Sequence, residues 1–145
     1  MTDLTKAKEL LSQGYTCVLV KDGKVLSSKA MGIAPMMTFL ESEDTRGFSL
    51  ADKIVGRAVS FLALKAGVKE VYGEVMSEGA LKLLKENNIQ AEYKTLTPNI
   101  INRKGDDICP MEKAVKDCND FEEAYILLQY KLKEIKTNMQ ATKII

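Results

Sequence analysis

Residues 99–115 of this chain read "NIINRKGDDICPMEKAV". Cys109 stands directly before Pro110, and Glu112 follows three positions later. Proline at a first helical position with an acidic residue in the first turn marks a helix start. A thiol placed there meets unpaired backbone N–H groups and the positive end of the helix dipole, and both favour thiolate. Arg103 and Lys104 add positive charge nearby. Cys109 therefore reads either as a nucleophile or redox-sensitive thiol, or as a small half-buried residue beside an ordinary cap. Arg103 offers a planar fork that grips a phosphate or carboxylate, or is a solvated loop charge. Asn102 precedes it. Asp106 and Asp107 could pair as a base or metal site, although loop aspartates before a helix are more often turn formers.

A second set lies in "SLADKIVGRA", residues 49–58. Ser49 can cap a helix, and the segment is assigned as one running to about Lys65, before Gly67. At 100° per residue, Ser49, Asp52, Lys53, Gly56, Arg57 and Ser60 fall on one arc, opposite Ala51, Ile54, Val55, Ala58, Phe61 and Leu62. Asp52 then serves as a base or hydrogen-bond acceptor and Lys53 as an anion anchor, or the arc is a solvent face. Gly56 is the odd member of this helix, costing about 1 kcal/mol against Ala. It reads as a point of close approach or as a tolerated surface glycine.

The chain contains no histidine. Imidazole-based nucleophile pairs and imidazole metal ligands are thereby excluded. Acid–base work at neutral pH would fall to Asp, Glu, Lys, Cys or Tyr with shifted pKa values. Cys109 and Cys118 match no compact zinc spacing, and the third cysteine, Cys17, sits in an apolar run. No metal or other cofactor is expected.

The elements that must position these residues follow from hydrophobic period and turn chemistry. A helix is expected over 3–13, and a hairpin over "YTCVLVKDGKVLSS", turning at Asp22-Gly23. "APMMTFLES" predicts a short helix. "VKEVYGEVMS" predicts a strand and "EGALKLLKENN" a helix, with Ser77 as its N-cap and Glu78 in its first turn. "IQAEYKTL" predicts a second strand, parallel to the first through a right-handed crossover. Asp120 to Glu123 resembles a capping box opening a helix to about residue 136. Residues 137–145 carry no clear pattern and are expected as a frayed tail. The sum is one α/β domain over residues 1–145: a three-layer α/β/α sandwich with a mixed sheet.

Composition bounds the function classes. The 145 residues carry 21 basic and 20 acidic side chains, which gives no footprint for nucleic acid. No apolar run reaches the roughly 18 residues of a membrane span, and "MTDLTKAKELL" is not a signal peptide. Three cysteines without an export signal fit reduced thiols in a cytoplasm. Self-association is left open.

Four blocks, "GYTCVLVKDGKV", "SLADKIVGRA", "AGVKEVYGEVMSEGAL" and "IINRKGDDICPMEKAV", carry a resemblance to the uncharacterised DUF1893 family, over about Leu4 to Lys133. That family resembles a divergent branch of the cytidine deaminase-like fold. Working deaminases of that fold carry His-x-Glu or Cys-x-Glu at one helix start and Pro-Cys-x-x-Cys at the next, with zinc activating a water. The corresponding places here read Leu50-Ala51-Asp52-Lys53 and Ser77-Glu78-Gly79-Ala80, without a ligand residue. The resemblance thus implies a zinc-free scaffold. Ligands of such sheets sit beyond the carboxyl ends of parallel strands. There Asp52, Lys53, Ser77, Glu78, Asn102, Arg103, Cys109 and Glu112 are expected to converge on a small or nucleotide-like ligand. Cys109 and Asp52 are the candidate catalytic pair if the protein is an enzyme. The alternative is a non-enzymatic sensing or self-associating module.

Overall fold

The computed structural model describes residues 1–144, with side chains through residue 138. The element order is α1 (Asp3–Ser12), β1 (Cys17–Lys21), β2 (Lys24–Ser28), α2 (Ala34–Ser42), β3 (Ser49–Val55), α3 (Arg57–Ala66), β4 (Glu70–Ser77), α4 (Glu78–Glu86), β5 (Gln90–Thr97), α5 (Pro110–Ala114) and α6 (Phe121–Ile144). One mixed sheet has the order β2-β1-β3-β4-β5. β1 pairs antiparallel with β2 and β3, whereas β3, β4 and β5 are parallel. The class is α/β. The β1–β2 hairpin turns at Asp22-Gly23 with φ of 47° and 85°, the positive pair that matches strand twist.

The segment expected as one helix from Ser49 to Lys65 is instead a strand followed by a helix. Residues 49–55 form β3, and α3 begins at Arg57 with Gly56 as its N-cap. The reason is tertiary. β3 lies between β1 and β4, and Ser49, Leu50, Ala51, Asp52 and Val55 are all buried there. A central strand buried on both faces shows no clean alternation, so its short apolar run mimics part of a helix. The sheet accordingly holds three parallel strands rather than the two expected. α6 also runs past residue 136, to Ile144. The frayed tail expected over 137–145 falls largely on side chains outside the described residues.

Two core clusters lie on opposite faces of the sheet. Val18, Val20 and Ala51 pack with Ala7 and Leu11 of α1. Their strand neighbours Cys17, Leu19 and Leu50 join the larger cluster with Met36, Phe61, Leu62 and Leu84, from α2, α3 and α4. The alternation along β1 follows from side chains pointing to opposite faces of a strand. α3 also packs on α6, whose Ala124 and Leu128 are fully buried.

This topology brings two helix starts to one edge. β3 runs through Gly56 into α3, and β4 ends at Ser77, the N-cap of α4. Both N-termini therefore lie at the carboxyl ends of parallel strands. The chain leaves β5 at that same edge and enters the 98–109 loop.

Candidate functional site

The focus of the carboxyl edge is a contact between α5 and α3. Oε1 of Glu112 accepts a hydrogen bond from the backbone N–H of Arg57, and Oε2 accepts one from Ala58, both at 2.8 Å. These are the first two amides of α3, which have no partner inside the helix. A carboxylate there also lies at the positive end of the dipole. Gly56 makes the approach possible. A Cβ on it would stand 2.2 Å from Glu112 Oε1. Gly56 offers no side chain to cap its own helix, and Glu112, 56 positions later, supplies the missing acceptor.

Arg57 forms the neighbouring wall. Its Nη2 donates to the Cys118 carbonyl at 2.8 Å, and its guanidinium lies 5.1 Å from the centre of the Phe61 ring. Nε is buried and has no hydrogen-bond partner. The aliphatic stem passes over Gly79 in the first turn of α4, where a Cβ would sit 3.1 Å from Arg57 Cδ. Glycines at both helix starts thus make room for side chains crossing the edge.

Ser77 caps α4 as expected. It is buried, and its Oγ accepts from the Ala80 amide at 3.1 Å. Glu78 is exposed in the same turn. Cys109 is the N-cap of α5, with Pro110 at the first helical position, but α5 is only five residues long. The Cys109 thiol is partly exposed, and its amide donates to the Ile100 carbonyl. Glu112 does not cap its own helix, but reaches α3.

Asn102 and Arg103 belong to a small hairpin of the 98–109 loop. Asn102 Oδ1 accepts from the Gly105 and Asp106 amides, and its Nδ2 donates to Asp106. An Ile101–Ile108 bridge closes this small hairpin. Asp107 accepts from the Ile108 amide and pairs with Lys113, which together hold its carboxyl below the usual range, the lysine hydrogen bond being the larger cause. Arg103 is exposed on the hairpin. Asp106 and Asp107 are therefore turn formers.

Asp52 and Lys53 do not open a helix. Asp52 is buried in β3 opposite Cys17 of β1, and Lys53 is exposed on the strand. Asp52 Oδ1 accepts from the Ile54 amide at 3.2 Å, while Oδ2 has no hydrogen bond of ordinary geometry. Burial raises its pKa to about 7, against the lowering influence of the Ile54 amide and the Cys17 thiol. Burial likewise pushes the Cys17 thiol well up, with Asp52 reinforcing the effect. Among the described residues, no hydrogen bond joins Asp52, Lys53, Ser77, Asn102 or Arg103 to Cys109 or Glu112. Of the eight residues expected to converge, Glu112 is the one that a hydrogen bond joins to another helix start, that of α3.

Two clefts lie elsewhere on the protein. One of about 300 Å³ separates α2 from α6, and one of about 420 Å³ lies beside α1 near Lys69 and Gln90. Among the described residues, no three His, Cys, Asp or Glu side chains stand together as a metal site, and no helix is long and apolar enough to cross a membrane.

The α3 cap is built from two of the sequence blocks that mark a family. The model of a domain of unknown function, DUF1893, matches residues 5–132. The chain belongs to the DUF1893 family. Its fold is similar to the crystal structure of a DUF1893 family protein from Thermotoga maritima, with a TM-score of 0.82 and 25% identity, over 90% of this chain and 91% of that one. No curated protein sequence matches the chain significantly. The description of that family carries no activity.

Proposed function

We propose that this DUF1893 chain is a zinc-free, cytidine deaminase-like α/β/α sandwich that binds a small or nucleotide-like anionic ligand at the α3 N-terminus. Helices on both faces of a mixed sheet support the layered reading. The observation that carries the binding reading is Glu112 seated on the Arg57 and Ala58 amides. A carboxylate brought from a distant helix occupies the place where a ligand's phosphate or carboxylate would sit. Arg57, whose backbone amide holds Glu112, also carries a buried Nε without a hydrogen-bond partner, a donor left for a further acceptor. Ligand and Glu112 then compete for the same two amides. Cys109 is the N-cap of α5 and Glu112 its third residue, so the thiol lies within one turn of the carboxylate that a ligand would replace. A filled anion position favours a ligand-sensing module over a Cys109-dependent enzyme, because binding must first move part of the protein.

Thermal shift and NMR titration with inorganic phosphate and nucleoside monophosphates test this reading on the wild type and on Glu112→Gln. The variant weakens the internal competitor and should bind at lower ligand concentration, raising the melting temperature as ligand is added. Absence of any ligand-dependent shift in both proteins would remove the reading.

A further inference from the structure

β5 ends the sheet, and among the described residues nothing pairs with its outer edge. It is eight residues long, and six of its positions are exposed. Tyr93 and Leu96 are 41% and 37% exposed. A long open edge of this kind presents unpaired N–H and C=O groups that template a further strand.

The side chains limit what that strand can be. Glu92 meets Lys8 of α1, so residues of its parity face the α1 side. Lys94 lies on that same side, is exposed, and has no ion-pair partner among the described residues. Consider a second copy adding antiparallel to β5 about a two-fold axis perpendicular to the sheet. Directly opposed residues must then face the same side, which permits only registers centred on a residue. Centring on Glu92 opposes Glu92 to its own copy. Centring on Lys94 opposes two lysines. Centring on Tyr93 sets each Glu92 against the other copy's Lys94, twice, and pairs the two Tyr93 rings on the far face. Centring on Thr95 opposes Lys94 to Leu96 and leaves Glu92 without a cation, so of the four registers nearest the middle of the strand only the one centred on Tyr93 is complementary.

From this we infer that β5 is a self-association edge, on which a second copy of the chain adds antiparallel with Tyr93 at the two-fold axis. The result is one continuous sheet through two protomers, with α1 of both on the same face. Glu92 is half exposed beside Lys8, so its carboxylate has room for a second cation. Lys94, which blocks pairing in the register centred on itself, becomes the register-setting residue.

Sedimentation velocity over a micromolar to hundred-micromolar range provides the test. The wild type should show a concentration-dependent dimer. Lys94→Glu should weaken dimerisation by about tenfold or more, since both attractive pairs become repulsive. Glu92→Lys should do the same. Mixed in equal amounts, the two variants should recover a heterodimer. Position 92 of each chain then again faces the opposite charge at position 94 of the other. Far-UV circular dichroism checks that each variant is folded. A wild type that stays monomeric throughout, a dimer indifferent to Lys94→Glu, or folded variants that fail to recover on mixing would each overturn the inference.

Discussion

Glu112 Oε1 lies 2.2 Å from the point where a Cβ on Gly56 would stand. The glycine and the carboxylate therefore form one device, in which an absent side chain admits a remote one to two orphan amides. Gly56 has φ of −101°, a backbone conformation open to any residue. Its role is space rather than conformational freedom.

That distinction gives the first prediction. Gly56→Ala should destabilise the protein by about 1–3 kcal/mol, because Glu112 must withdraw and leave the Arg57 and Ala58 amides without their acceptor. Glu112→Ala alone should cost about 1–2 kcal/mol, as for a lost cap. In the Glu112→Ala background the same Gly56→Ala change should cost less, about 1 kcal/mol or below, since only the poorer N-cap preference of Ala against Gly remains. A urea double-mutant cycle reads the coupling directly, and additive losses would show that the two residues do not act together.

The sequence exposes part of this arrangement and hides the rest for physical reasons. The hairpin turn, the span of α2, the Ser77 cap and the Cys109-Pro110 helix start all follow from local rules of turn, cap and period. Gly56 stands out as a possible point of close approach, but nothing local says that the approaching group is Glu112. β3 misleads because burial on both faces erases the strand period, and the true helical period of α3 completes the false helix. That error moves Asp52 from a helix surface to the sheet interior. It also hides Cys17 as its cross-strand neighbour, since pairing between β1 and β3 joins positions 35 apart. Asn102 and Arg103 carry residue types suited to ligand binding, yet the Asn102 side chain is committed to its own hairpin.

Asp52 predicts a pH dependence of stability. Its folded pKa, about 7, lies above the unfolded value of about 3.9. Below pH 4 both states hold the proton, and the group contributes no difference. Between pH 4 and 7 only the folded state retains it, so stability falls as pH rises, by about 1.4 kcal/mol per unit at most. Asp52→Asn keeps the shape without the ionisation. Its urea midpoint should be flat from pH 5 to 7, where the wild-type midpoint declines. Parallel profiles for the two proteins would reject Asp52 as the source. Above pH 9 Cys17 adds a decline of the same sign, since its folded thiol also holds its proton too tightly.

The three thiols should separate by exposure. Cys17 and Cys118 are 1% and 2% exposed, and burial raises both of their pKa values. Cys109 is partly exposed at the start of a short helix. Under native conditions a thiol reagent should therefore modify Cys109 first, with the other two following only at the rate of unfolding. Mass spectrometry of iodoacetamide-treated protein locates the label. Phosphate or a nucleotide bound at the α3 N-terminus should change the Cys109 rate, because Glu112 is displaced from the same turn of α5. A rate unchanged at saturating ligand would uncouple the thiol from the site, leaving Cys109 as the cap of α5 alone.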